Sequence, residues 1–211
     1  MILKAYKYFV IFCFLVLIVL INTALLSYVK SVKKDNLDFL YSISQKEAQT
    51  IFDNIVATRQ WNANFNGVYV KKTALIAPNK YLDNNHLYTN ENELLVKINP
   101  AWMTRQISVI SNNSNKHSFN ITSLKPKNLK NTTSDFEKEA LLYFDKNKNK
   151  KYYAKVGKNF STFDFMGSLT ANESCLKCHV TQNYKLGDVV GGISINVPLK
   201  EYQDQYLQII T

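Results

Sequence analysis

Residues 175–179 read Cys-Leu-Lys-Cys-His. Two thiols separated by two residues and followed directly by an imidazole form Cys-x-x-Cys-His, the attachment pattern of c-type haem. Each thiol can add to one haem vinyl group, and the histidine is then held beneath the iron as its proximal nitrogen ligand. Cys175 and Cys178 are therefore the candidate covalent anchors of one haem c, and His179 is the candidate proximal ligand. A thioredoxin-like redox pair fits less well, because no strand-then-helix βαβ pattern surrounds the motif. A structural zinc site would need further ligands, and His86 and His117 do not stand at finger spacing.

The sixth ligand is not fixed by spacing. Met103, Met166, His86 and His117 carry the side chains able to reach an iron, and Met103 is the candidate distal ligand. Arginine is a further signal. Of 26 basic residues only Arg59 and Arg105 are Arg, so each points to a need for a planar fork of donors. Haem propionates are carboxylates and suit such a fork, which makes Arg59 and Arg105 candidate propionate partners.

The elements that must position these residues begin with an anchor. No charge occurs between Lys7 and Lys30, and Phe9 to Leu26 is dominated by Phe, Leu, Ile and Val. That run approaches the ~20 residues that span a bilayer as a helix. The exit, Ala24-Leu25-Leu26-Ser27-Tyr28, matches a signal-peptidase site poorly, so an uncleaved anchor is expected. Flanking lysines are balanced and do not orient it. Haem c is attached outside the cytoplasmic membrane, which places the C-terminal domain in the periplasm of a single-pass inner-membrane protein. Cys13 lies inside the apolar run and belongs to no disulfide framework.

From Ser31 to about Gln60 no Gly or Pro occurs, and Leu37, Leu40, Ser44, Ala48, Ile51 and Ile55 recur at steps of three and four. This predicts an amphipathic helix continuous with the anchor, broken at Gly67. Val68–Val70 reads as a strand and 77–92 as loop. Asn99-Pro100 starts a helix carrying Trp102, Ile107 and Ile110. Residues 111–134 are rich in Ser, Asn and Thr and read mostly as loop, after which Ser134 and Glu137 form a capping box. The last third alternates with period two: 152–156, 163–166 and 189–197 are strands, with Gly191-Gly192 marking a bulge. Helices first and an antiparallel meander last give an α+β domain. The net charge of +10 comes from dispersed lysines interleaved with Asn, the pattern of a solvated surface, so no nucleic-acid partner is expected.

Several segments together resemble a bacterial family of periplasmic c-type haem sensor regions with a PAS-like fold. They are Arg59-Gln60-Trp61-Asn62-Ala63, Gly67-Val68-Tyr69-Val70, Pro78-Asn79-Lys80-Tyr81-Leu82, Ile98 to Ile107, Ile121 to Pro126, Glu173 to His179, and Gly187 to Ile195. The likeness covers about residues 35–200. It implies that Cys175, Cys178 and His179 carry the haem, and that the domain is a sensory input of the kind found ahead of histidine kinases, diguanylate cyclases or chemotaxis outputs. Asn66 and Lys80 depart from the family pattern, standing where Gly and Pro are usual. The sequence stops at Thr211 with no second membrane helix and no output domain, so the expectation is either that the output was lost or truncated away, or that a homodimer or a separate output protein transmits the signal.

The expected organisation is a membrane anchor (1–30), a juxtamembrane amphipathic helix (31–60), a haem-c PAS-like domain (61–200) and a tail (201–211). The expected role is a non-enzymatic sensor of redox state or of a diatomic gas (NO, CO or O2). The alternative is a tethered monohaem cytochrome that exchanges electrons with a redox partner.

Overall fold

In the computed structural model, residues 2–113, 117–157, 160–173, 175–176, 182–200 and 202 are described. Cys178, His179 and most of the 201–211 tail lie outside them. The chain divides into two compact units, Met1–Ile43 and Ser44–Thr211. The first is the N-terminal part of one helix, α1 (Ile2–Asn64). Among the described residues α1 alone is long and apolar enough to cross a membrane. The helix expected over 31–60 is thus continuous with the apolar segment, and its second half belongs to the folded domain.

α1 ends where the sequence predicts. Asn66 and Gly67 take left-handed backbone angles (φ 55° and 92°). Their N–H groups bond back to the carbonyls of Ala63 and Asn62 at 3.0 and 2.9 Å, satisfying carbonyls the helix end would otherwise orphan.

The second unit holds two antiparallel sheets. The smaller has the order β1 (Val68–Lys71), β3 (Leu94–Ile98), β2 (His86–Tyr88). The larger has the order β4 (Ser118–Thr122), β7 (Val189–Pro198), β6 (Thr162–Thr170), β5 (Tyr152–Val156). Between them run α2 (Pro100–Asn112) and α3 (Asp135–Lys146). β2 and β4 fall in stretches read as loop. β2 is three exposed residues long, and β4 is a five-residue strand that alternates polar and apolar residues within a Ser-, Asn- and Thr-rich stretch and pairs with β7.

Period-two alternation gives the large sheet two faces. Phe119, Ile121, Phe163, Phe165, Ile193, Ile195 and Val197 point to one face and bury Ala48 and Phe52 of α1. Met166 points to the other and packs on Ala140, Leu141 and Phe144 of α3. Each fully buried side chain of this size contributes roughly 1.5–3 kcal/mol. Gly167 makes the α1 packing close: a Cβ there would sit 2.2 Å from the Phe52 ring. On the α3 face one carboxylate organises the polar residues. Glu137 accepts from the Ser134 N–H (2.7 Å), Asn120 Nδ2 (3.0 Å) and Ser194 Oγ (2.5 Å), while Ser134 Oγ accepts from the Glu137 N–H. The expected capping box is therefore present, and it also ties α3 to β4 and β7.

The bulge signalled by Gly191-Gly192 is also present. Leu169 pairs with Gly191 but Thr170 pairs with Val189, which leaves Val190 unopposed. The chain leaves the sheet at this bulge to make the excursion that carries the cysteines.

Candidate functional site

A cavity of about 700 Å³ opens on the α1 face of the large sheet, beside the bulge. That volume falls within the range of small-molecule and cofactor sites. Its floor is sheet: Ile121, Leu169 and Gly191. One wall is α2, which turns Ala101, Trp102 and Arg105 inward, with Arg59 entering from the C-terminal end of α1. Two loops complete it, residues 77–82 and 122–131. Asn79 shapes the first loop, its Oδ1 accepting from the Tyr81 N–H (3.1 Å) and its carbonyl from Leu82 N–H (3.0 Å) and Asn85 Nδ2 (3.0 Å). The second loop is tied to β7 by Ser123 Oγ, which donates to the Val190 carbonyl at 2.8 Å. It is tied to the segment after the cysteine motif by Gln182 Nε2, which donates to the Lys125 carbonyl at 2.6 Å.

The cysteine-bearing excursion has a defined neck. The Ala171 N–H donates to the Asp188 carbonyl (2.8 Å), and the Gly187 N–H donates to the Ala171 carbonyl (3.0 Å). Asn172 then starts a helical turn, accepting the Cys175 N–H on both its side-chain Oδ1 (3.1 Å) and its carbonyl (3.0 Å). Cys175 is a half-buried free thiol. The Asp188 carboxyl is held below the usual carboxylate range, first by the Lys185 backbone N–H and then by Lys148.

The titratable groups lining the cavity are basic or phenolic, with no carboxylate among the described residues. Arg59 is partly buried. Its Nη1 donates to Thr104 Oγ1 (2.9 Å) and to the Pro100 carbonyl (3.2 Å), both neutral acceptors. Burial pushes its pKa down to about 10, and the nearby charge of a Cys175 thiolate partly offsets that. Arg105 Nη1 donates to Asn131 Oδ1 at 2.6 Å, again a neutral partner. Lys80, Lys125, Lys127 and Lys130 stand exposed around the mouth.

Of the residues singled out from sequence, the structure brings Arg59 and Arg105 to the cavity, and Cys175 is not among the cavity's lining residues. Cys178 and His179 lie outside the described residues. None of the four possible sixth ligands lines the cavity. Met103 sits on α2 away from the face formed by Ala101, Trp102 and Arg105. Met166 is buried under α3. His117 Nε2 pairs with Glu47 Oε1 at 2.8 Å, and His86 lies exposed on β2. Thr104 and Asn131 belong to the site and carried no signal in the sequence, being ordinary polar residues in ordinary context.

A chamber of this volume, floored by Ile121, Leu169 and Gly191 and lined by two guanidinium groups held on neutral acceptors, suits a ligand that bears carboxylates, and a haem with its two propionates is a ligand of that kind.

Comparison with known proteins agrees with this architecture. The model of the Tll0287-like family matches residues 40–198, well over half of the chain, so the chain belongs to that family. The crystal structure of the cyanobacterial heme-protein Tll0287 superposes with a TM-score of 0.50 at 12% identity, covering 74% of this chain and 94% of that one. At that identity the match speaks to the fold. A comparison with curated proteins gave no match.

Proposed function

We propose that this member of the Tll0287-like family is a membrane-anchored periplasmic protein that carries one covalent haem c in the α1-face cavity and acts as a redox or diatomic-gas sensor. The observation that carries this reading is the cavity itself: basic, floored by sheet residues, and with no carboxylate among its described lining residues. Cys175 and Cys178 would hold the haem through thioethers, His179 would bind the iron, and Arg59 and Arg105 would face the propionates. When bound, the haem supplies one-electron redox chemistry and an axial position for a small ligand. The domain is PAS-like in its use of an antiparallel sheet as the floor of a ligand chamber. The relative's description as a heme-protein supports the assignment.

The sensor role rests on α1. One uninterrupted helix runs from the apolar segment to Phe52, which is packed against the sheet at Gly167, and on to Arg59, which lines the cavity. A change at the cavity thus has a helical element to act on. A homodimer or a separate output protein would read it. The basic mouth, with Lys80, Lys125, Lys127 and Lys130, favours a second reading: a tethered cytochrome that meets an acidic redox partner.

The test is an absorption spectrum of the full chain expressed with haem-c maturation, oxidised and reduced, with and without NO and CO. Gas-dependent changes in the reduced spectrum support sensing. A six-coordinate spectrum indifferent to gas moves the role to electron transfer. Absence of covalent haem overturns the reading.

A further inference from the structure

The two arginines are held by neutral acceptors, and the way they are held limits what they can bind. Thr104 is fully buried, and its hydroxyl proton is committed to the Pro100 carbonyl at 2.7 Å. Its lone pairs are thereby turned to Arg59 Nη1 at 2.9 Å. Asn131 is fixed by the loop it closes. Its carbonyl accepts from Thr122 Oγ1 (3.1 Å) and the Ser123 N–H (3.3 Å), while its Oδ1 takes Arg105 Nη1 (2.6 Å). In both guanidinium groups Nη1 is anchored, and among the described residues Nη2 and Nε meet no protein acceptor. That leaves two oriented forks lining one chamber, the geometry that recognises carboxylates in pairs. Leaving these donors without an anion would be costly in a partly buried site.

We propose that Thr104 and Asn131 are positioning residues that aim Arg59 and Arg105 at the ligand's two carboxylates. This rests on the haem reading above and adds to it the two residues that fix its arginines. Neither residue needs to touch the ligand. Each acts through its arginine: Thr104 by removing the freedom of Arg59 to swing along α2, Asn131 by joining Arg105 to the 122–131 loop.

The test uses the full chain loaded by haem-c maturation, with haem content measured by pyridine haemochrome and the midpoint potential measured across pH. A guanidinium aimed at a propionate favours the reduced iron by offsetting negative charge. Thr104→Val and Asn131→Leu should therefore each shift the midpoint to more negative potential, while Thr104→Ser and Asn131→Gln should stay near the wild type. A midpoint unmoved in haem-replete Thr104→Val and Asn131→Leu overturns the positioning role and leaves the haem assignment standing. Absence of covalent haem in the wild type overturns both. Should the two variants fail to load, the unloaded full chain decides. Trp102 lines the cavity, so tryptophan fluorescence reports binding of metal-free protoporphyrin IX and of its dimethyl ester. At least tenfold tighter binding of the free acid by the wild type is expected, with that preference reduced in Thr104→Val and Asn131→Leu; the same preference in wild type and both variants, or no binding of either compound to the wild type, overturns the proposal.

Discussion

The α3 side of the large sheet and the cavity treat charge in opposite ways. Around α3 and β5 the protein balances its own cations: Lys155 pairs with Glu139, and Lys148 with Asp145 and Asp188. Even the buried Glu137 finds three donors. On the α1 face, at the cavity, Arg59 and Arg105 meet hydroxyl, carbonyl and amide oxygens but no carboxylate. Charge balanced within the chain is architecture. Charge held in place and left unbalanced marks where something from outside completes the fold.

The comparison can be broken from either side. The largest effect is expected from Cys175→Ser with Cys178→Ser, which should abolish covalent haem, read as loss of the pyridine haemochrome signal, while far-ultraviolet circular dichroism of the sheet domain stays unchanged. If the sheet unfolds as well, the two regions are not independent. Next is Glu137→Ala on the balanced side. It strands Asn120, Ser194 and the Ser134 N–H, and should lower unfolding stability by about 3 kcal/mol in a denaturant melt. Haem attachment should remain possible in that variant under native conditions.

A smaller effect, with a definite sign, concerns the neck. The depressed pKa of Asp188 means that its contribution to stability is present above the ordinary carboxylate pKa and is lost as pH falls through the depressed value. Asp188→Asn should therefore melt at a lower temperature than wild type near neutrality, with the gap closing on acidification below about pH 4. A gap independent of pH would assign the neck to backbone bonds alone. The smallest effect is expected from Lys155→Ala: its ion pair with Glu139 is half exposed, and no measurable change in the melting midpoint should follow.

What the sequence revealed follows the range of the interactions involved. Ser134 with Glu137, and Asn99 with Pro100, declare helix starts because their chemistry is complete within four residues. Gly67 and the Gly191 bulge were legible for the same reason, each solving a local backbone problem. Arg59 and Arg105 stood out by scarcity in a lysine-rich chain. β2 and β4 were not legible. His86–Tyr88 is exposed throughout, and in Ser118–Thr122 the alternation of Phe119 and Ile121 with polar residues is only five residues long and sits inside a Ser- and Asn-rich stretch, so β7 beside it is what makes it a strand. Met103 was the candidate distal ligand on chemical type alone, and helical phase, which sets the face it occupies, turns it away from the cavity. Thr104 and Asn131 could not be picked out at all, since their roles exist only once Arg59 and Arg105 are brought to the same chamber from distant parts of the chain.

The Thr170–Val189 closure also bears on the order in which the molecule is made. β6 and β7 are neighbours in the sheet, yet the whole cysteine-bearing excursion separates them in sequence. Bringing its ends together costs roughly 2–3 kcal/mol of chain entropy, repaid as the ladder zips from the neck outward. Cys175 takes no part in that ladder. The strands can therefore pair whatever the state of that thiol, and chemistry at Cys175 does not have to wait for the sheet or the sheet for it.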